Sequence, residues 1–150
     1  MNILPSYQNQ YVIIFLSIII SFLAVSCSQS KYYQCEQIIK IANNVAQQTH
    51  QLINDQTSHQ IEAKTWMQAA EVMAKAARQL EDLSIKDTKL INYQVDLARI
   101  YRTNSQVTYD IIQAIENKDI TAAQAAQKKA RTAGELERKL GSNINDYCLN

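Results

Sequence analysis

Glycine and proline are nearly missing from this 150-residue chain, which holds two of the first and one of the second. A β-sandwich, a barrel or a phosphate-cradling loop needs turn formers at many positions, so those architectures fall away and an all-helical chain remains. A surplus of positive charge is missing too. Fifteen Lys and Arg against fourteen Asp and Glu leave a formal net charge of +1, without the electrostatic footprint of a nucleic-acid binder. At 150 residues one domain is expected.

The charges that are present are placed unevenly. No Asp, Glu, Lys or Arg precedes Lys31, so the first 30 residues are a separate object. Residues 12–25 form an apolar run of the length a secretory signal uses, and Ala24-Val25-Ser26 has the small-x-small form of a cleavage site. Cys27 follows directly. Leu23-Ala24-Val25-Ser26-Cys27 resembles a bacterial lipobox, at which the cysteine is diacylated on sulfur and the signal is cut off before it. Two departures stand against the match: the leucine lies one place early, and residues 1–10 carry no Lys or Arg, so export orientation rests on the terminal amine. An uncleaved membrane helix and plain secretion are the alternatives. The helix is short for that role, since residues 11–26 span about 24 Å against a hydrocarbon core of about 30 Å. All three readings export the domain; the preferred one has a signal peptide at residues 1–26 and a mature domain at 27–150, attached to a membrane through a lipid on Cys27.

Beyond residue 32, apolar spacing predicts four helices. The first carries the seam Cys35, Ile39, Ala42, Ala46, Thr49 and Ile53, with Ile38, Val45 and Leu52 beside it. The second repeats the step at Trp66, Ala70, Met73, Ala77 and Leu80, flanked by Ala69, Ala76 and Leu83. Asp87 is placed as N-cap of the third, whose seam is Ile91, Leu97, Ala98, Tyr101, Thr108, Ile111, Ile112 and Ile115. Thr121-Ala122-Ala123-Gln124 has the capping-box form at the start of the fourth. There Ala133, Leu136, Leu140, Ile144 and Tyr147 stay in step through Gly141, so the helix is carried to about Cys148. Gly134, Gly141 and Cys148 fall seven apart, which either permits close approach of a neighbour or simply costs the helix about 1 kcal/mol per glycine.

Short connections between amphipathic helices favour an up-down-up-down four-helix bundle with axes inclined about 20°. That topology sets the start of the first helix beside the end of the fourth, with Cys35 and Cys148 on core-facing seams. Once Cys27 carries lipid, these two are an even pair in an exported, disulfide-permissive location, and a bond between them is expected. Two separately buried thiols are the alternative.

No catalytic constellation stands out. His50 and His59 are the only histidines, and Asp55, His59 and Glu62 have a spacing that loop solvation explains as well as a metal does. Cys148 is followed by Leu149-Asn150, with no haem-attachment sequence, and no Ser or Cys has a base nearby. Neither enzyme activity, metal nor cofactor is expected. Thr103, Asn104, Ser105 and Thr108 make the middle of the third helix polar, as a hydrogen-bonded core layer or the wall of a small ligand pocket. Lys128, Lys129, Arg131, Arg138 and Lys139 make the fourth helix basic outside, as a solvated face interrupted by Glu135 and Glu137 or as a contact for headgroups or an acidic partner.

Tyr33-Gln34-Cys35-Glu36-Gln37-Ile38-Ile39, Gln68-Ala69-Ala70-Glu71 with Ala76-Ala77, Tyr101-Arg102, Lys118-Asp119 and Ile144-Asn145-Asp146-Tyr147-Cys148 together resemble a group of small cyanobacterial exported, lipoprotein-like proteins of uncharacterised function. The resemblance spans residues 33–148 and implies cysteines near both ends of a helical domain, but supplies no activity. In architecture alone the chain is similar to lipid-anchored four-helix subunits on the lumenal side of photosystems, and fold does not carry function. The expected function is therefore a membrane-tethered, non-catalytic binding or accessory module facing a periplasm or thylakoid lumen, with Lys128, Arg131 and Arg138 meeting a protein partner or headgroups and no nucleic acid involved. A carrier holding a small ligand in a polar pocket of the bundle is the alternative.

Overall fold

Four helices account for nearly all of residues 30–54 and 63–150, the residues that this computed structural model describes. They are α1 (Lys31–Asn54), α2 (Ala63–Glu81), α3 (Thr88–Glu116) and α4 (Ile120–Leu149). Residues 31–150 form one compact unit. The signal segment, Cys27, Asp55, His59 and Glu62 lie outside the described residues.

Consecutive helices run antiparallel. Gln94 near the start of α3 donates to the carbonyls of Leu80, in the last turn of α2, and Leu83, just after it. Asn104 meets Glu137 while Tyr93 meets Tyr147, so α4 descends as α3 rises. The α2–α3 and α3–α4 pairings are the extensive ones; α1 packs on α2 to a smaller extent and touches α3 and α4 at few positions.

This unequal packing decides which seam residues are buried. Central α3 covers a wide arc, including Leu90, Gln94, Leu97, Tyr101 and Val107, whereas α4 buries a narrow stripe of Ala126, Ala133, Leu140 and Ile144. Four large side chains expected in the core are therefore exposed: Trp66 (44%), Ile91 (37%), Ile115 (64%) and Leu136 (52%). On α1 the buried line is Gln34, Cys35, Ile38 and Val45, one position off the expected seam, and Ala46 is exposed. Ala69, Ala70, Ala76 and Ala77 form the buried face of α2 together with Thr65 and Leu80, small side chains that allow α3 to lie close.

The helix ends are built locally. Asp87 caps α3 as expected, its Oδ1 accepting from the Lys89 and Leu90 amides at 3.0 and 2.9 Å. The α3 C-terminus closes as a Schellman turn, with the Asp119 amide donating to Ala114 O and the Lys118 amide to Ile115 O. Lys118 supplies the left-handed residue at φ 57°, where glycine is usual. The expected capping box at Thr121 is not used. Asp119, two residues earlier, caps α4 by accepting from the Ala122 amide at 2.9 Å, because an aspartate is at least as good an N-cap as threonine and its charge suits the helix N-terminus. The helix does run unbroken through Gly141 to Leu149.

Candidate functional site

The ends of the bundle differ in chemistry. At one, Cys35 and Cys148 form a disulfide with their Cα atoms 5.8 Å apart, as the antiparallel topology requires. The approach owes nothing to glycine: a Cβ added at Gly134 or Gly141 meets nothing within 4 Å, so the close-approach reading of these residues is corrected. Around the disulfide, buried Gln34 accepts from the Lys86 and Asp87 amides at 2.7 and 3.0 Å. Gln94 donates to the carbonyls of Leu80 in the last turn of α2 and Leu83 just beyond it, so two glutamines fasten the α2–α3 connection. Tyr147 donates its hydroxyl to Asp87 Oδ2 at 2.8 Å. The Leu90 amide, with further help from Tyr147, holds the Asp87 carboxyl below its usual range against the cost of burial, and the bond to Asp87 raises the Tyr147 phenol.

Neither glutamine is among the seam residues that apolar spacing picks out, because only apolar side chains mark a seam. The signal was positional. Gln34 steps with Ile38 and Val45, and Gln94 with Leu90, Leu97 and Tyr101, so each lies on its helix's buried line.

The polar middle of α3 bonds mainly within its own helix and crosses to α4 through Asn104. Thr103 and Thr108 hydroxyls donate to the carbonyls of Arg99 and Asn104, and Asn104 Nδ2 donates to Glu137 Oε2 at 3.1 Å. Burial pushes the Glu137 carboxyl up, opposed by that hydrogen bond, and burial with the Glu137 charge raises the Tyr101 phenol. Nearby, an Arg102–Glu81 ion pair links α3 to α2 at the surface.

At the other end lies an apolar groove of about 540 Å³. Trp66 of α2, Ile111, Ile112 and Ile115 of α3, and Gln127 and Ala130 of α4 form its walls, with no α1 residue among the described residues that line it. The groove continues past Ile111, Ile115 and Gln127 toward exposed Ile120. Among the described residues α1 meets α4 at its first turns, through Lys31–Tyr147 and Cys35–Cys148. Lys128 and Arg131 are exposed beside Gln127 and Ala130, and Arg138 is exposed nearer the middle of α4. None of the three basic candidates is among the groove's lining residues.

Among the described residues no group of three or more His, Cys, Asp or Glu is placed to hold a metal ion. His50 is exposed near the end of α1, its ring bonded to Asn54. No helix among the described residues is long and apolar enough to cross a membrane. No protein-family model matches the chain, and no curated protein or solved structure is significantly similar to it.

Proposed function

We propose that the chain is an exported binding module, tethered to a membrane through a lipid on Cys27, which works by contact through the end of the bundle opposite the disulfide. The observation that carries this reading is the Cys35–Cys148 bond. Disulfides persist in oxidising compartments such as the periplasm, and Cys35 stands eight positions after Cys27, so the bonded end is the tethered end. Lys128 lies twenty residues up α4 from Cys148, a rise of about 30 Å. That distance favours a protein partner over headgroups for Lys128 and Arg131. An apolar groove beside exposed cations suits an amphipathic segment with an acidic flank.

The test is crosslinking in membranes followed by partner recovery, comparing the wild-type chain with Ile115→Glu and with Lys128→Glu/Arg131→Glu/Arg138→Glu. Both variants should reduce recovery, the second most strongly at low salt because screening acts within about 10 Å at 0.1 M. Association insensitive to salt would leave only the apolar surface. Replacing Cys27 with Ser should release the protein from membranes or leave the precursor uncut, whereas unchanged mass and retention would support an uncleaved anchor. The groove's volume favours one second reading, a carrier of a small apolar ligand. Trp66, the single tryptophan, lines the groove, and its emission would shift to the blue when a small apolar ligand added alone fills it.

A further inference from the structure

The disulfide end of the bundle is rich in tyrosine. Of the six tyrosines among the described residues, Tyr32, Tyr33, Tyr93 and Tyr147 stand there. Tyr93 and Tyr147 pack edge to face and are partly buried. Tyr32 (72%) and Tyr33 (45%) are exposed in the first turn of α1, and Leu149 (85%) at the end of α4. The Cys35–Cys148 bond holds these three exposed side chains at one end, because Tyr32 lies about one turn before Cys35 and Leu149 one position after Cys148. Charge gives this end no ion-binding character, since Lys31, Lys86 and Lys89 are interleaved with Glu36, Asp82, Asp87 and Asp146. The far end differs: there the exposed side chains are the isoleucines Ile115 and Ile120, around the groove.

We propose that the disulfide end is a membrane-contact face, with Tyr32, Tyr33 and Leu149 seated in the lipid–water interface so that the bundle stands upright and directs its groove away from the bilayer. A tyrosine has an apolar ring and a hydroxyl that stays hydrated, which suits the headgroup level of a bilayer, where tyrosine is enriched. The length of chain before α1 decides the occupant. Tyr32 stands five positions after Cys27, so the backbone allows at most about 18 Å between them. A face held that close to a lipidated cysteine has the bilayer as its nearest surface. With charges of both signs interleaved, the contact is apolar and interfacial, and it does not select anionic lipids. The inference rests on the tethered reading and adds to it which side chains meet the membrane and how the bundle stands.

Tryptophan quenching by brominated acyl chains tests the face, with the full chain as isolated from membranes reconstituted into phosphatidylcholine vesicles. Trp66 is the single tryptophan and lies fourteen residues back along α2 from Leu80, a rise of about 21 Å, so wild-type emission should be the same in brominated and plain vesicles. Tyr32→Trp/Trp66→Phe and Leu149→Trp/Trp66→Phe should each lose at least half of their emission in brominated vesicles, to the same extent when phosphatidylglycerol is included. Adding Tyr33→Ser/Leu149→Ser to the position-32 reporter should lower its quenching at least twofold. An intact disulfide and unaltered far-ultraviolet circular dichroism show that each variant is folded. Quenching of Trp66 as strong as at position 32 means that the bundle lies flat, and quenching that persists through Tyr33→Ser/Leu149→Ser means that the tether alone enforces proximity; either overturns the face. Reporter emission shifted to the blue yet insensitive to bromine means that protein, such as a second copy, covers the face, and overturns its assignment to lipid. Quenching that requires phosphatidylglycerol overturns the charge-independent contact. A chain that fails to float with the vesicles overturns the tether and the face with it, whereas a chain that floats with unquenched reporters overturns the face alone.

Discussion

Glu137 sits half-buried where α4 meets α3, with one hydrogen bond from Asn104 and the buried phenol of Tyr101 near enough to feel its charge. Its carboxyl is held above the ordinary value of 4.5. Between the unfolded and folded pKa the native state therefore binds more protons than the unfolded one, and stability falls as pH rises through that window. Asp87 acts in the opposite sense, since its carboxyl is lowered from 3.8; its stabilisation is present above that value and is lost as pH falls through the folded pKa. Glu137→Gln keeps an acceptor for Asn104 and removes the buried charge. Denaturant unfolding across pH 4 to 8 should show the variant more stable than wild type at neutral pH, with the difference vanishing below the ordinary carboxylate pKa; a constant difference at all pH values would sink this account. At this scale the sequence announced some roles and concealed others. Asp87 was legible because an aspartate before a helical run caps it by local geometry, whereas the buried glutamines Gln34 and Gln94 bond backbone atoms that only the tertiary fold brings within reach. Lys118 was hidden for a different reason: its left-handed backbone is imposed by the Schellman turn and not by its own preference.

Helix extents were the most legible feature, and the buried flank of each helix was the least. Periodicity carried α4 through Gly141, as found, because a single glycine weakens a helix without breaking it. The buried line of α1 nevertheless passes through Ile38 and Val45, and Leu136 of α4 is exposed. A 3.6-residue period marks a stripe but leaves open which edge of it meets a neighbour, and unequal packing of α1 against the other three helices settled that choice. The glycines of α4 make this testable. Their backbone is helical and the space beside each is open, so alanine adds no clash and removes the entropy cost of glycine. Gly134→Ala and Gly141→Ala should each raise stability by about 0.5 to 1 kcal/mol and add nearly independently, measured as a shift in urea midpoint at constant slope. A loss of stability at Gly141 would show that a neighbouring helix does approach there, restoring the closer packing first expected of it.

For the molecule as a whole, the disulfide is the link between the sequence and the topology. An antiparallel bundle returns its last helix to its first, which predicts the Cys35–Cys148 pair, and the bond is present although α1 touches α4 at few positions. The pairing needed only the ends to meet. What the sequence did not disclose is the far end, where Trp66, Ile112 and Ile115 stand around a groove. Because α1 makes few contacts with α3 and α4 beyond this end, the bond over 113 positions should matter more for α1 than for the other helices. A Cys35→Ala/Cys148→Ala chain should lose about 2 to 4 kcal/mol, the usual range for a disulfide that closes a long loop. The loss should also be uneven. Hydrogen exchange in the first turns of α1 should accelerate far more than in α3, whose Leu90, Leu97 and Tyr101 are buried between neighbours on both sides. If instead exchange rises uniformly through all four helices, α1 is an integral wall of the core.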